Sequence, residues 1–454
     1  MPWGTRPVTQ SRLPHPLVLL VGCILIAAAL SYVVPAGQYD RRDDTATGRH
    51  VVIAGSFHLV PAHPMGPFQT LVAIPQGMID AASVIFLVFL VGGAFNVVDR
   101  TGAFRHGVEW LSERLRRRTI FIIPIVSVVF ATGGAVEGMW EEIIALVPVL
   151  LLLGRRVGYD PLTVVAMSLG AAGIGGTFSP FNPFSVGIAQ RFAELPLLSG
   201  LGFRLAVLGP ALAVWVWGTM RHAARTRVPP VEDPSESTRT LKPRHAITLL
   251  VVAATFVAYV VGALQYDWGF DEMSGLFFLM GTAVGLLGGL GLSGTAEAFV
   301  EGFRAMAYAA MLIGVARAIF VVLDRGLVVD TIIHAMMTPL EHLPPMLFAG
   351  GMMIVQAIIA LPVPSTSGRA VLTMPILVPL SDLLGVSRQV TVLAYQYGAG
   401  IVGQFMPTDG ALVAILALAG VRYDEWLRFC LRICPLLFVM SLVAVGIAVA
   451  IGVR

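Results

Sequence analysis

The amino-acid sequence predicts an all-α polytopic membrane protein: two inverted repeats, about nine spanning helices, two re-entrant hairpins and discontinuous helices at the centre. The composition, the lengths of the apolar runs and an internal repeat predict this fold class. Hydrophobic residues make up 56% of the 454 positions and charged residues only 13%, against about 25% charged in soluble domains. A bilayer accommodates so much apolar surface because spanning helices need about 20 apolar residues and satisfy their own backbone hydrogen bonds.

Composition and charge also exclude several function classes. The net charge is only +3, and no basic stripe is interleaved with aromatic residues, so nucleic acid is not an expected partner. Cys23, Cys430 and Cys434 lie in apolar stretches and are interpreted as core residues, not as disulfide partners or metal ligands. No cofactor is expected, and no metal beyond a coupling Na⁺. The first apolar run is longer than a signal-peptide core of about 7 to 15 residues and is predicted to be a retained span.

Apolar runs between charged or Pro/Gly breaks give the elements in order. The predicted spans are 17–36, 82–98, 160–190, 201–220, 246–264, 273–292, 305–323, 389–419 and 430–451. Two further runs, 119–153 and 344–384, are too long for one crossing and are interrupted midway by polar or Gly/Pro-rich residues. Each is therefore predicted to be a re-entrant hairpin. The outer segment 37–75 is expected to contain a small strand pair formed by residues 51–53 and 57–60.

The placement of arginine predicts the topology, because cytoplasmic loops are enriched in Lys and Arg. With the hairpins returning to their own side, the basic residues after the second span, the first hairpin, the fourth span and the eighth span all fall inside. They are Arg100, Arg105, Arg114, Arg116, Arg117, Arg118, Arg155, Arg156, Arg221, Arg225, Arg227, Arg422 and Arg428. The loop 265–272 has only acidic charges and falls outside. We expect a multi-pass protein of the bacterial inner membrane with a cytoplasmic N-terminus and an outer C-terminus.

The internal repeat divides the chain into two related halves. Residues 172–182 and 399–409 are identical at six of eleven positions, and the offset of 227 also places Pro148 on Pro375 and Gly158 on Gly385. The predicted topology gives the halves opposite orientations. The predicted units are a first span with an outer loop (1–81), a first inverted repeat (82–227), a cytoplasmic linker (228–245), two scaffold spans (246–304) and a second inverted repeat (305–454).

Both repeats carry a polar break deep in a span, at 179–183 and 406–410. Proline and glycine interrupt helices there, so that half-helix N-termini are available to anions and unwound carbonyls to a cation such as sodium. A polar side chain beside a helix-breaking proline, at repeat-related positions, indicates a binding site. The nearby glycines are interpreted as positions of close helix packing. They are Gly173, Gly176, Gly400 and Gly403.

The two hairpin tips carry most of the charge expected inside the membrane. The first tip, 133–142, holds Glu137, Glu141 and Glu142, and the second, 362–369, holds Arg369. A lone charge at mid-membrane costs about 2.5 to 3.5 kcal/mol on insertion scales, so these groups need partners. One reading is a structural salt bridge between Glu142 and Arg369, which are repeat-related. In the other, Arg369 binds a solute carboxylate while Glu141 or Glu142 takes a proton or a solute ammonium group.

The predicted site combines the tips and the breaks. The predicted substrate-binding residues are Glu141, Glu142, Asn182, Ser365, Thr366, Ser367, Gly368, Arg369, Thr408 and Asp409. The predicted ion-binding residues are Glu137, Ser179, Asn182, Thr408 and Asp409. The three consecutive hydroxyl residues of the second tip have an alternative role as N-caps of the returning helix, although a capped N-terminus at mid-membrane is itself a carboxylate site.

At these residues the chain resembles the YfcC-like branch of the family of anaerobic C4-dicarboxylate carriers, within the ion-transporter superfamily. The matching segments are 33–39, 138–142, 182–190, 372–376, 384–390 and 407–410. The resemblance implies a dimerising scaffold, a mobile transport domain that works as an elevator, and substrates among dicarboxylates, short organic acids or amino acids, with arginine/ornithine exchange in some members. Three positions depart from the family pattern: Arg369 and Asp409, where members usually have small residues, and Ala399, where an acidic residue is usual.

The sequence therefore predicts a secondary active transporter of a small carboxylate-bearing solute, coupled to Na⁺ or H⁺ or working as an exchanger. The expected partners are that small organic anion or amino acid, the lipid bilayer and a second copy of the chain. A membrane-embedded hydrolase using Ser365 or Ser367 is the rival from another class, but the sequence offers no histidine base near the tips. A passive channel is the second rival.

Overall fold

The computed structural model describes residues 16–44, 49–103, 121–180, 182–229, 243–266 and 268–453, and it is mostly helical. Predictions for Arg105, Arg114, Arg116, Arg117, Arg118 and most of the 228–245 linker lie outside the described residues. The helices of the first half are α1 Pro16–Val33, α2 Pro67–Asp80, α3 Ala82–Arg100, α4 Ile122–Glu137, α5 Ile143–Val157, α6 Pro161–Thr177, α7 Ile188–Phe192 and α8 Leu201–Arg225. Helix α6 contains a π-helical turn at Ala166–Gly170, and a second π-helical turn, Pro183–Gly187, leads into α7.

The second half repeats the same succession of elements after two further long helices. Its helices are α9 Pro243–Tyr266, α10 Phe270–Leu287, α11 Gly291–Arg325, α12 Val329–Met337, α13 Pro345–Ile359, α14 Thr366–Leu383, α15 Arg388–Gly403, α16 Gly410–Ala419 and α17 Tyr423–Ala450. A 3₁₀ turn at Thr338–His342 joins α12 to α13.

The outer segment contains two short antiparallel strand pairs: β1 Gly37–Gln38 pairs with β4 His58–Leu59, and β2 Arg41–Asp44 with β3 Arg49–Val52. The predicted pairing of 51–53 with 57–60 is therefore wrong. Strand β3 instead folds back on the charged segment directly before it, and β4 pairs with the residues that follow α1. Helix α2, which begins in this segment, was not predicted.

Two long helices of the second half, α10 and α11, pack against helices near the start of the chain. Helix α11 packs along α1, α2 and α3, and α10 packs against α3. The predicted span 305–323 is only the second part of α11, which begins at Gly291. The predicted span starts only where the charged residues end, but Glu301 pairs with Arg100 at the end of α3, so the charge does not interrupt the helix.

Both long apolar runs fold as helix–turn–helix units, and both predicted discontinuous helices are broken where expected. Helices α4 and α5 are joined by a turn at 138–142, and α13 and α14 by a turn at 360–365. We name these units the first and second hairpin. Helix α6 ends at Thr177, and the chain is non-helical until Pro183; α15 ends at Gly403, and α16 begins at Gly410. We name these interruptions the first and second break.

The two halves pack on each other reciprocally. Within each half, the first helix of the hairpin packs on the helix before the break, α4 on α6 and α13 on α15. Between the halves, the second hairpin helix packs on the helix that follows the other half's break, α5 on α16 and α14 on α7. Helices α6 and α15 also pack on each other, as do α8 and α17. Both breaks and both hairpin tips therefore belong to one packed unit.

Apolar side chains cover much of the outside of the helices. On α17, Leu436, Val439, Val443 and Ile447 are all about half exposed and recur every three or four residues, which places them on one face. Such a face suits lipid contact. Among the described residues, five helices are long and apolar enough to cross a membrane: α3, α8, α10, α11 and α17. The remaining predicted spans correspond to shorter apolar helices, and the number of crossings stays a prediction.

Candidate functional site

The first break is closed by its own side chains and by the first hairpin. The Asn182 side-chain oxygen accepts hydrogen bonds from the backbone N–H groups of Phe184 (2.9 Å) and Ser185 (3.0 Å), so it caps the following helical turn. Its amide nitrogen donates to the Gly134 carbonyl at 3.1 Å, and the Ser179 hydroxyl donates to the Ala135 carbonyl at 2.6 Å. The predicted residues Ser179 and Asn182 thus bind the end of α4.

The second break repeats this geometry with a charged residue. Asp409, at the repeat position of Asn182, caps α16 by accepting the Leu412 N–H at 2.8 Å, and Leu412 is the repeat position of Ser185. The Thr408 hydroxyl donates to the Leu361 carbonyl at 3.3 Å, and Leu361 is the repeat position of Gly134. Each break is therefore tied to the hairpin of its own half. Only the second break carries a formal negative charge.

Trp140 connects the first hairpin tip to the second break. Its indole N–H donates to both carboxylate oxygens of Asp409, at 3.1 Å each. Its backbone N–H donates to the Glu142 carboxylate at 2.9 Å. Glu142 is only 7% exposed, so this bond compensates part of the cost of burying its charge. Trp140 was part of a recognised segment, but sequence reasoning gave it no role.

Arg369 has no carboxylate partner within the part of the chain that the structure describes. Its Nη1 donates to the carbonyls of Val363 (2.7 Å) and Pro364 (2.9 Å), and its Nη2 lies 3.4 Å from the Thr366 hydroxyl. The Nε of this 4%-exposed side chain has no hydrogen-bond partner among the described residues. No ion pair within 4.0 Å joins Arg369 to Glu142 in that part of the chain, so the direct salt bridge between the tips is absent.

The charged residues of the two tips and the second break are near enough to interact electrostatically. Asp409 interacts with Arg369 and with Glu141, and Glu141 also interacts with Glu142. No hydrogen-bond donor to the Glu141 carboxylate is found among the described side chains, and Glu141 is partly exposed. We name Glu141, Glu142, Asp409 and Arg369 the charged cluster. It contains three carboxyl groups and one guanidinium group.

The hydroxyl residues of the second tip lie at the N-terminus of α14. Ser365 is the N-cap of α14, and its hydroxyl accepts the Gly368 N–H at 3.2 Å, which confirms the capping role. Thr366 is exposed, and Ser367 and Gly368 are partly buried beside it. The tip therefore presents the N-terminus of a long helix next to Arg369, an arrangement that favours an anion.

Predicted ion binding has weaker structural support. The side chain of Glu137 lies outside the described residues. No group of three or more His, Cys, Asp or Glu side chains with metal-binding geometry occurs in the described ranges. The oxygens of Ser179, Asn182, Thr408 and Asp409 each take part in a hydrogen bond within the protein. An ion role for these residues stays a prediction.

Sequence reasoning missed four residues with polar groups at the breaks: the partly buried Trp140 and the buried Arg204, Gln396 and Gln404. Arg204 is fully buried in α8, where a lone arginine within the predicted span 201–220 was the signal available. Gln396 and Gln404 lie in α15 and at its C-cap. The amide of Gln404 is 1% exposed, and neither its oxygen nor its nitrogen has a partner among the described residues.

Comparisons with known proteins agree on the class of protein. The family model described as "C4-dicarboxylate anaerobic carrier" matches residues 13–450. The chain is 32% identical to an Escherichia coli protein described as "Putative basic amino acid antiporter YfcC", over 97% of both chains. It is also 27% identical to an uncharacterised Haemophilus influenzae protein, over 96% of this chain and 97% of that one.

Two solved structures are similar at low identity. The YdaH transporter of Alcanivorax borkumensis has a TM-score of 0.45 and 16% identity, covering 97% of this chain and 99% of that one. MtrF of Neisseria gonorrhoeae has a TM-score of 0.41 and 17% identity, covering 97% and 96%.

Proposed function

Because the chain belongs to the C4-dicarboxylate anaerobic carrier family, and is therefore a membrane transporter and not an enzyme, we propose that it exchanges basic amino acids. The solute is one member of the predicted class of small carboxylate-bearing solutes. Its carboxylate binds Arg369 and the second tip, and its cationic group lies among the carboxyl groups of the charged cluster.

The observation that carries this proposal is the unpaired state of Arg369. A buried guanidinium without a carboxylate is costly, and it would be expected to recruit one. Within the described ranges, Nη1 is engaged by two tip carbonyls, whereas Nε is without a partner and Nη2 has only a long contact with Thr366. The Nε–Nη2 edge is therefore free for the two-pronged pairing that arginine forms with carboxylates.

The balance of charge favours a basic amino acid over a dicarboxylate. Three carboxyl groups face one guanidinium group in the charged cluster, and no side chain in the described ranges donates a hydrogen bond to Glu141. A solute with one carboxylate and one or two cationic groups complements this arrangement. A dicarboxylate would bring its second negative charge to the acidic side. The description of the Escherichia coli relative as a basic amino acid antiporter supports the same choice.

Dicarboxylate transport is the second candidate, and the description of the family favours it. It would need a cation or protonated carboxyl groups beside Asp409. In that case Na⁺ or H⁺ coupling would neutralise the acidic side during each cycle. Exchange of two solutes of equal charge has no such requirement, because the entering solute replaces the charge of the leaving one.

The proposed mechanism is an elevator of two inverted repeats in the bacterial inner membrane. The reciprocal packing of hairpins and breaks supports a two-fold relation between the halves. The outer scaffold of α3, α10 and α11 packs around its own apolar core, which includes Phe95, Phe277 and Phe299. It is the proposed fixed part and dimer interface, with the N-terminus inside and the C-terminus outside.

Counterflow in proteoliposomes tests the proposed function. Purified protein is reconstituted in vesicles loaded with unlabelled lysine, arginine, ornithine, succinate or fumarate, and the uptake of labelled lysine or succinate is followed. We expect saturable lysine uptake driven only by internal basic amino acids. Succinate counterflow without lysine counterflow would contradict the amino-acid assignment and favour the dicarboxylate candidate. Uptake that neither saturates nor shows counterflow would indicate a channel.

A further inference from the structure

The first break contains two backbone carbonyls that the helix cannot satisfy. In a helix, the carbonyl of Gly176 would accept the N–H of residue 180, and that of Ser179 the N–H of residue 183. Both of those residues are prolines, which have no N–H. A buried carbonyl without a donor is costly, and unwound carbonyls of this kind suit a cation in transporters with broken helices.

An amide from the other half occupies both carbonyls. Gln396 of α15 donates from Nε2 to the Ser179 carbonyl at 2.8 Å and to the Gly176 carbonyl at 3.2 Å. The Gly176 carbonyl has one further contact, at 3.4 Å, with the Ser179 N–H. Gln396 is 4% exposed, so little water competes for these bonds.

Arg204 fixes the orientation of this amide. Its Nη1 donates to Oε1 of Gln396, and because arginine can only donate, the amide nitrogen must face the break. Its Nη2 donates to Oε1 of Gln389 at 3.0 Å, and the nitrogen of that second amide donates to the Ser199 hydroxyl at 2.8 Å. Arg204 is fully buried and has no carboxylate within 4.0 Å among the described residues.

The second break lacks this arrangement. The repeat position of Gln396 is Leu169, a buried apolar residue. Gly403 occupies the repeat position of Gly176. In a helix its carbonyl would accept the N–H of residue 407, but that residue is also a proline. No side chain in the described part of the chain donates to that carbonyl. At this pair of carbonyls the two breaks thus differ by one amide and the positive charge that orients it, although Trp426 and Tyr423 donate to the neighbouring carbonyls of Gln404 and Phe405 in the second break.

We propose that Arg204 and Gln396 are a positioning pair that fills the cation position of the first break from within the protein. Arg204 orients the amide so that its N–H groups point at the two carbonyls. The oriented amide and the charge of Arg204 together take the place of a bound monovalent cation. Any coupling cation is then restricted to the second break. Only this consequence rests on the proposed transport function; the occupation of the first break does not.

A comparison of two glutamine variants tests the proposal without any transported solute. Gln396→Leu removes the donor to the break, whereas the matched control Gln389→Leu removes the other amide on Arg204 and leaves the break filled. Each protein is purified in detergent, and its melting temperature is measured in NaCl and in choline chloride of equal ionic strength. The wild type supplies the baseline response.

We expect NaCl to raise the melting temperature of Gln396→Leu at least about 2 °C more than that of Gln389→Leu, because Na⁺ would bind the vacated carbonyls. Equal responses of the two variants would overturn the proposal and leave the network a purely structural one. If Gln396→Leu does not yield folded protein, Gln396→Glu replaces it. The glutamate carboxylate still pairs with Arg204 but cannot donate a hydrogen bond to the carbonyls of the break. The same larger increase in melting temperature with NaCl is therefore expected, and a response equal to that of Gln389→Leu would again overturn the proposal. Failure of lysine counterflow would leave this result unaffected.

Discussion

The two breaks have the same backbone plan and different chemistry. Each ends a helix, ties a polar side chain to the hairpin of its own half, and starts the next helix with a cap at equivalent positions, Asn182 and Asp409. The first break is neutral at its cap and filled by Gln396. The second is acidic at its cap, bonded to Trp140, and within electrostatic reach of Arg369.

This difference shows how two related segments of sequence can carry different chemistry. Each segment contains a helix interruption with free backbone groups, which cost free energy unless something satisfies them. In the first break the protein supplies the missing donor itself. In the second, Asp409, Glu141 and Arg369 form no ion pair with one another within 4.0 Å in the described ranges, which is why we propose that their charges serve a solute.

The largest expected effect comes from making the second break like the first. Asp409→Asn keeps the capping oxygen for the Leu412 N–H, since Asn and Asp cap helices about equally well. It removes the negative charge that we propose holds the cationic group of the solute. We expect lysine counterflow to fall by about 30- to 100-fold, corresponding to about 2 to 3 kcal/mol for a bond to a charged group, with little loss of stability.

Asp160→Asn is the matched control for this change. Asp160 also caps a helix, accepting the Thr163 N–H at 3.3 Å, but it lies at the start of α6 beside His222. Its variant should retain counterflow. Unchanged transport by Asp409→Asn would show that the second break acts through its shape alone.

A smaller effect is expected from the link between the first tip and the second break. Trp140→Phe keeps an aromatic ring but removes the N–H that donates to both oxygens of Asp409. We expect about a 10-fold loss of lysine transport at subsaturating concentration, because Asp409 would no longer be oriented. Trp215→Phe, which removes a buried indole bond to the Ala166 carbonyl, is the control and should lower stability without this loss. Equal transport in the two variants would show that the link is dispensable.

The smallest effect concerns stability where the two broken helices cross. A Cβ at Gly173 would lie 2.0 Å from Gln404 Nε2 and 2.7 Å from Trp140 Cζ3, whereas a Cβ at Gly403 meets nothing within 4 Å. Gly173→Ala should therefore destabilise the protein by about 1 to 3 kcal/mol, and Gly403→Ala should not. Thermal unfolding in detergent measures both. A similar melting temperature for the two variants would show that the crossing is not tightly packed.

Much of the helical plan was predictable, because it follows from the lengths of apolar runs and from prolines. The interruptions at 119–153, 160–190, 344–384 and 389–419 all coincide with turns or breaks in the structure. The start of α11 was missed because the predicted spans were delimited by charged residues, although Arg100 neutralises Glu301 there. The strand pairing was missed because residues 49–52 pair with a polar segment that carries no strand pattern.

The site was predictable in its location but not in its bonding. Helix breaks and charged tips are visible in the sequence, so Arg369, Asp409 and Asn182 were found. Their partners depend on which helices touch, and no local pattern reveals that Trp140 reaches Asp409 or that Gln396 reaches the first break. Of the two readings of Glu142 and Arg369, the direct salt bridge has no ion pair within 4.0 Å to support it in the described ranges. Equivalent positions in a repeat need not touch each other.

A comparison of two inhibitors in an Arg369 variant tests the central claim most directly. Lysine and cadaverine differ only in the α-carboxylate, and each is measured as an inhibitor of labelled ornithine counterflow. The proteins compared are the wild type, Arg369→Lys and the control Arg317→Lys, in which the replaced guanidinium lies in an exposed ion pair with Asp80. We predict that Arg369→Lys weakens inhibition by lysine at least about 10-fold, because the two-pronged pairing is lost, and leaves inhibition by cadaverine unchanged. Equal weakening for both inhibitors would contradict the assignment of the solute carboxylate to Arg369.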